Sequence, residues 1–140
     1  MPHDALPFRS LDHVVIRVPD LARALVFYRD VLGCEVERVL EDVGLWQLRA
    51  GDSLIDLVDT TKPLGLQGGQ PPGPDTPPNM DHFCLTVDPF DAEAIRAHLQ
   101  GHGVAVGEVA RRYGAQGYGP SLYCQDPDGN TVELKGPPEA

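Results

Sequence analysis

The amino-acid sequence predicts an α+β fold made of two βαβββ modules, together forming one domain over residues 1–140. Three features point there: a stretch that repeats itself, one amphipathic helix in each repeat, and alternating apolar strands around each helix. Residues 11–36, LDHVVIRVPDLARALVFYRDVLGCEV, and residues 80–106, MDHFCLTVDPFDAEAIRAHLQGHGVAV, present their parts in the same order. Each has an Asp-His pair, an alternating strand, an Asp/Pro break, a helix, a glycine stop and a further apolar strand. His13 and His82 occupy matched positions, 69 residues apart.

The first module, residues 10–60, opens with a strand through His13 and Val18. Its helix starts from an N-cap at Asp20, carries Leu21, Ala24, Leu25, Tyr28, Val31 and Leu32 on one stripe, and stops at Gly33. Strands are expected over residues 34–39, 44–49 and 53–58. The second module, residues 80–136, repeats the plan. Its helix is capped by Asp91, with Phe90 and Ile95 as a hydrophobic staple and Gly101 and Gly103 as the stop. Strands are expected over residues 104–109, 121–125 and 131–135, the last two joined by the turn Asp126-Pro127-Asp128-Gly129. Arg111-Arg112-Tyr113-Gly114 reads as a loop. Residues 61–79 hold six prolines and four glycines without hydrophobic period, and read as a linker. That linker is long enough for the modules to pair within a chain or across a dimer.

Composition excludes several classes of function. Twenty-one acidic residues against eleven basic ones give a net charge of −10, which repels nucleic acid and anionic membranes alike. No apolar run approaches a membrane span, and the first residues lack the pattern of a secretory signal, so a cytoplasmic location is expected. Cys34, Cys84 and Cys124 form no CxxC pair and read as reduced packing residues, with Cys84 on the same strand face as His82.

Strand alternation identifies a candidate site. Val14, Ile16 and Val18 must face the helix, which turns His13, Val15 and Arg17 the other way. Phe83, Leu85 and Val87 do the same for His82, Cys84 and Thr86. In the closing strands Ile55 and Leu57 take the core and leave Asp56 on the far face, and Val132 and Leu134 leave Glu133 there. A lone histidine or carboxylate on such a face is more often solvated than a ligand. Four at equivalent places in two repeats suit a divalent ion such as Zn, Ni, Mn, Fe or Co. His3, His98 and His102 lack this symmetry and are expected to have surface roles.

These strings, LDHVVIRVPDLARALVFYRDVLG, DHFCLTV and SLYCQDPDGNTVEL, resemble the vicinal-oxygen-chelate superfamily. That group takes in glyoxalase I, fosfomycin-resistance enzymes, extradiol dioxygenases and bleomycin-resistance proteins. The resemblance spans about residues 10–136. It implies sheets that form a cupped, open barrel, often in a homodimer, with His13, Asp56, His82 and Glu133 at the ligand places. Aspartate at position 56 departs from the longer side chain of the glyoxalase pattern, which leaves His13, His82 and Glu133 as the firmer ligands.

Among the reactions of the superfamily, the expectation is a metal-dependent lyase or isomerase of the glyoxalase type. Its substrate would be a small oxygen-chelating molecule, such as a glutathione or other thiol adduct. His13-x-x-x-Arg17 reproduces the motif in which the arginine steadies a carboxylate. Glu133 would move the proton, and Tyr123, expected to face the cavity, would line it or donate to the substrate. The histidine of extradiol dioxygenases is missing upstream of Leu122-Tyr123. Arg111, Arg112 and Tyr113 suit the fosfomycin-type addition of a thiol or water to an epoxide. A metal-free binding protein of the bleomycin-resistance kind fits less well with four candidate ligands and nine Phe, Trp and Tyr residues.

Overall fold

The computed structural model describes residues 6–71, 73, 75 and 80–139. The chain forms two four-stranded mixed sheets. The first contains β1 (His13–Val18), β2 (Glu35–Leu40), β3 (Leu45–Ala50) and β4 (Ser53–Asp59), in the order β1-β4-β3-β2. The second contains β5 (His82–Thr86), β6 (Ala110–Gly114), β7 (Gly117–Gln125) and β8 (Thr131–Lys135), in the matching order β5-β8-β7-β6. In each sheet the opening strand pairs parallel to the closing one, and the remaining pairs are antiparallel.

Helix α1 (Leu21–Leu25) follows β1 and is capped as expected, with the Asp20 carboxylate accepting from Arg23 N at 3.1 Å. It continues as a π-helical stretch, Val26–Val31, where Leu32 N donates to Phe27 O, five residues back. Phe27, outside the predicted stripe, is therefore also buried, edge-on to Tyr28. Helix α2 (Pro63–Leu66) is a single turn inside the linker, and α3 (Ala92–Gly101) is capped by Asp91 through Ala94 N. Residues 72, 74 and 76–79 of the predicted linker lie outside the described residues.

Two expectations in the second module need correction. The strand expected over residues 104–109 is reduced to a single bridge between Val106 and Cys124. Its Val-Ala-Val alternation ends at Gly107, whose N–H is spent on Tyr123 O. The segment expected as a loop is instead β6, a polar edge strand. Edge strands need no second apolar face, so hydrophobic alternation does not mark them. A tight turn at Ala115-Gln116 joins β6 to β7, and Gly117 takes the positive φ of 112° that this connection requires. Gly129 plays the same part in the β7–β8 turn, at φ 83°.

One continuous apolar core serves both modules. Ile16, Leu25, Tyr28, Ile55 and Leu57 of the first belong to the same buried cluster as Leu99, Leu122, Val132 and Leu134 of the second. Three polar links join the modules on this side. Tyr28 Oη donates to Asp126 Oδ2 at 2.7 Å, Arg23 pairs with Asp128 at 2.6 Å, and His98 Nε2 donates to Val31 O at 2.7 Å. Because both sheets turn their helix-side faces to this shared core, the faces bearing His13, Asp56, His82 and Glu133 point away from it, with the two carboxylates buried and the two histidines partly open to solvent.

Candidate metal centre

The two halves reproduce one local geometry. In the parallel β1–β4 ladder Val15 stands opposite Asp56, and His13 precedes it by two residues on the same face. In β5–β8, Cys84 stands opposite Glu133, and His82 precedes it by two. The matched offset sets His13 Nε2 3.9 Å from Asp56 Oδ2 and His82 Nε2 3.1 Å from Glu133 Oε1. Both carboxylates are buried, and both histidines remain partly open to solvent.

The aspartate that precedes each histidine orients it. His13 Nδ1–H donates to Asp12 Oδ2 at 2.8 Å, and His82 Nδ1–H donates to Asp81 Oδ2 at 2.7 Å. Such a carboxylate fixes the tautomer and leaves the Nε2 lone pair free to bind an ion. The Asp12 hydrogen bond, and then the charge on Asp56, raise the His13 imidazole above its ordinary value. Each half therefore aims a nitrogen lone pair beside a carboxylate oxygen. Two acceptors face each other there, an arrangement that needs a proton or a cation between them.

Asp56 strengthens the fit. Its Oδ2 accepts from Gln47 Nε2 at 3.2 Å, and Gln47 is in turn held by Arg38 at 3.2 Å. Its Oδ1 is buried with no hydrogen-bond partner. A buried carboxylate oxygen left this way costs free energy unless something positive reaches it. The donor set of imidazole nitrogen and carboxylate oxygen suits a borderline divalent ion. Among the described residues no third His, Cys, Asp or Glu joins either pair. The four predicted ligands thus form two half-sites within one chain.

Tyr123 lies on the His82 face as expected, edge-on to the imidazole at 5.3 Å between ring centres. Cys84 is exposed beside this pair, while Cys34 and Cys124 are buried. Burial, and then the charge on Glu133, push the Cys84 thiol up to about 11, with Lys135 acting in the opposite direction. Arg17 faces the same side as His13, but its guanidinium donates to Gly65 O, Gly69 O and Gln70 O at 2.7–3.0 Å. The linker backbone wraps this side chain. His3 lies outside the described residues, and His102 packs against His98.

Sequence reasoning missed the work of Gln47 and Lys135. Gln47 is identifiable only from strand register, because it stands opposite Asp56. Arg112, expected in a loop with Arg111 and Tyr113, instead lies on β6 and donates to Ser121 O and Oγ at 2.9 Å. Buried Lys135, on the Glu133 face, spends its ammonium on Gly117 O at 2.9 Å. A cavity of about 850 Å³ opens between the modules, among Val31, Cys34, Ser53, Cys84 and Ile95. It contains none of the four candidate ligands, so the lone-pair geometry is the better guide to the chemistry.

The family described as the Glyoxalase/Bleomycin resistance protein/Dioxygenase superfamily matches residues 10–134. The chain belongs to this superfamily. Among relatives, the Glyoxalase domain-containing protein RDO1 of Mycosarcoma maydis is 34% identical over 130 residues, covering 92% of this chain and 69% of that protein. Glutathione transferase FosA of Serratia marcescens is 26% identical over 126 residues, covering 90% and 79%. The crystal structure of Virulence protein STM3117 from Salmonella typhimurium superposes with a TM-score of 0.75 at 22% identity, covering 94% of this chain and 99% of that one. That likeness fixes the superfamily fold, two mixed sheets in a cup that does not close.

Proposed function

We propose that this superfamily member is a divalent-metal enzyme of the lyase or isomerase kind, whose metal centre is completed by a second copy of the chain. The Asp56 carboxylate, with Oδ1 orphaned and Oδ2 3.9 Å from an imidazole already oriented by Asp12, is the observation that carries this reading. The shared core supplies the second part. It turns both ligand faces away from the core that the modules share, so that the His13–Asp56 half of one chain can meet the His82–Glu133 half of its partner. A two-fold dimer satisfies both chains at once and makes two equal sites.

A bound divalent ion would supply a positive centre that makes a carbon next to a substrate oxygen acidic. His13 and Asp56 of one chain with His82 and Glu133 of the other would hold it, with Asp12 and Asp81 fixing the ring orientation of the histidines. Glu133 accepts the substrate proton on a carboxylate oxygen and returns it to the neighbouring carbon, an isomerisation that needs no redox partner. Tyr123, at the edge of His82, donates a hydrogen bond to a substrate oxygen and keeps its proton. A thiol adduct is one candidate substrate, since FosA is described as a glutathione transferase.

A second reading, the addition of a thiol or water to a small electrophile, draws on Ser121, Arg112 and Tyr123 grouped beside the same half-site. Elemental analysis and an assay panel of hemithioacetals and epoxides test both readings. The proposal expects about one divalent ion per chain, lost in His82→Ala, and hemithioacetal turnover that depends on the ion. Metal-free protein that gains neither metal nor activity from Ni, Co, Zn or Mn would overturn it.

A further inference from the structure

Each sheet leaves the strand that carries its histidine at an edge. β1 pairs with β4 and β5 with β8, and among the described residues no strand lies along the other side of either. Bare edges of this kind recruit another strand unless they are covered. Exposed apolar side chains gather along both: Phe8 is 88% exposed, Leu11 72%, Val15 50% and Met80 48%. Residues 6–12 lead into β1 as an arm outside any strand. The cavity between the modules runs along the other edge, with Cys84, Thr86 and Val87 in one wall and Val31 and Ile95 among its apolar lining. Val87 N–H still donates to Lys135 O, so this bare edge continues one residue past β5. Arg49 in the lining is paired with Glu37, while Asp52 and Asp91 bring negative charge to the wall.

The repeat says how the two edges fit each other. They are equivalent parts of equivalent modules, and like edges meet through a local two-fold, which runs their strands antiparallel. A centre shared by His13 of one copy and His82 of another sets the register, because directly opposed positions bring both rings to one ion. Each residue of the arm then falls opposite a residue beyond His82: Leu11 opposite Cys84, Arg9 opposite Thr86, Phe8 opposite Val87. By the same count Val15 meets Met80. One alignment thus covers all four exposed apolar side chains. A slip of two residues would set Met80 against Arg17 and Leu11 against Thr86, and the apolar pairs would be lost. Alternation puts Phe8 and Val87 on the helix side of the joined sheet, where the cavity lies.

We infer that the N-terminal arm of each chain adds to the free β5 edge of a second copy and seats Phe8 in that copy's inter-module cavity. The inference rests on the shared centre proposed above, which fixes the register. The cavity, about 850 Å³, takes a phenyl ring with room to spare. Main-chain hydrogen bonds along the edge hold the arm, and the alternate side chains decide which segment fits. Arg9 gives the arm a positive charge where Asp52 and Asp91 leave the cavity acidic, in a chain whose net charge of −10 otherwise drives copies apart.

Cross-linking tests the seat. Leu11→Cys sets a thiol opposite exposed Cys84, within disulfide reach for directly opposed strand residues. Diamide oxidises the two thiols to one disulfide and is itself reduced to the hydrazine, taking up both protons. Metal-free Leu11→Cys treated in this way should run as a covalent dimer on a non-reducing gel, and the double variant Leu11→Cys, Cys84→Ser as a monomer. A Leu11→Cys chain that stays monomeric overturns the inference, whether its thiols remain free or close a ring within one chain, the mark of an arm folded into its own cavity. Phe8→Ala gives an independent reading, because a side chain 88% exposed in its own chain is not needed for that chain to fold. The dimer dissociation constant, measured by sedimentation, should rise at least about tenfold in this variant. An unchanged constant, or wild-type protein that sediments as a monomer, overturns the inference as well. Manganese uptake by the wild-type protein separates the two ideas: a covalent dimer without manganese binding sinks only the metal centre, and manganese binding without the covalent dimer sinks only the arm.

Discussion

His82 Nε2 lies 3.1 Å from Glu133 Oε1 while Asp81 holds the opposite ring nitrogen at 2.7 Å. The same relay recurs as Asp12, His13 and Asp56 in the other half. Asp81 is exposed, so its value to the protein lies in the imidazole it orients rather than in packing. Asp81→Ala should lower divalent-metal affinity by roughly 10- to 100-fold with little change in thermal stability. Titration of the apo-protein with manganese or cobalt measures this, and unchanged affinity would remove Asp81 from the relay.

The Tyr28–Asp126 hydrogen bond staples the first helix to the β7–β8 turn. Asp126 also accepts from Asp128 N, Asn130 N and Asn130 Nδ2, so the turn sequence Asp-Pro-Asp-Gly-Asn is an architectural device rather than a catalytic one. Burial, and then the charge on Asp126, keep the Tyr28 phenol protonated well above its ordinary value. Tyr28→Phe should cost about 1–2 kcal/mol, since the donor is lost from a buried pair while Asp126 keeps its other partners. Urea unfolding would show a lower midpoint with the same slope, and an unmoved midpoint would refute the staple.

Asp128 gives a pH-dependent effect of defined sign. Burial raises its carboxyl above the ordinary 3.8, although the Arg23 hydrogen bond pulls the other way. One of its oxygens, Oδ2, is buried without a partner. A carboxyl whose folded value lies above its unfolded one costs the native state stability once it ionises. Wild-type protein should therefore lose stability relative to Asp128→Asn as pH rises from about 3 to about 7. Denaturation of both proteins across that range measures the difference, and a gap independent of pH would contradict it.

Much of this was legible in the sequence, for reasons visible in particular residues. His13 and His82 could be matched because the repeat keeps the Asp-His pair, the capped helix and the closing strand in register. Asp56 and Glu133 followed from alternation against Ile55, Leu57, Val132 and Leu134, all of which are buried. Alternation failed at β6, where Arg111 and Arg112 belong to an edge strand with no apolar face to announce it. Arg17 could not be assigned from sequence, because its partners are backbone carbonyls about fifty residues away, in a segment with no periodic signal. The separation of the two half-sites was equally hidden, since it depends on which faces the modules bury against each other.

Complementation tests the shared centre most directly. His13→Ala spoils one half-site of each chain and His82→Ala the other, so either variant alone should bind no metal. In a mixed dimer the intact His13 of one chain meets the intact His82 of the other. Unfolding and refolding the two variants together should therefore recover about a quarter of the wild-type metal stoichiometry, from statistical dimers in which one site of two is whole. A mixture that stays as empty as its components would contradict a centre built by two chains.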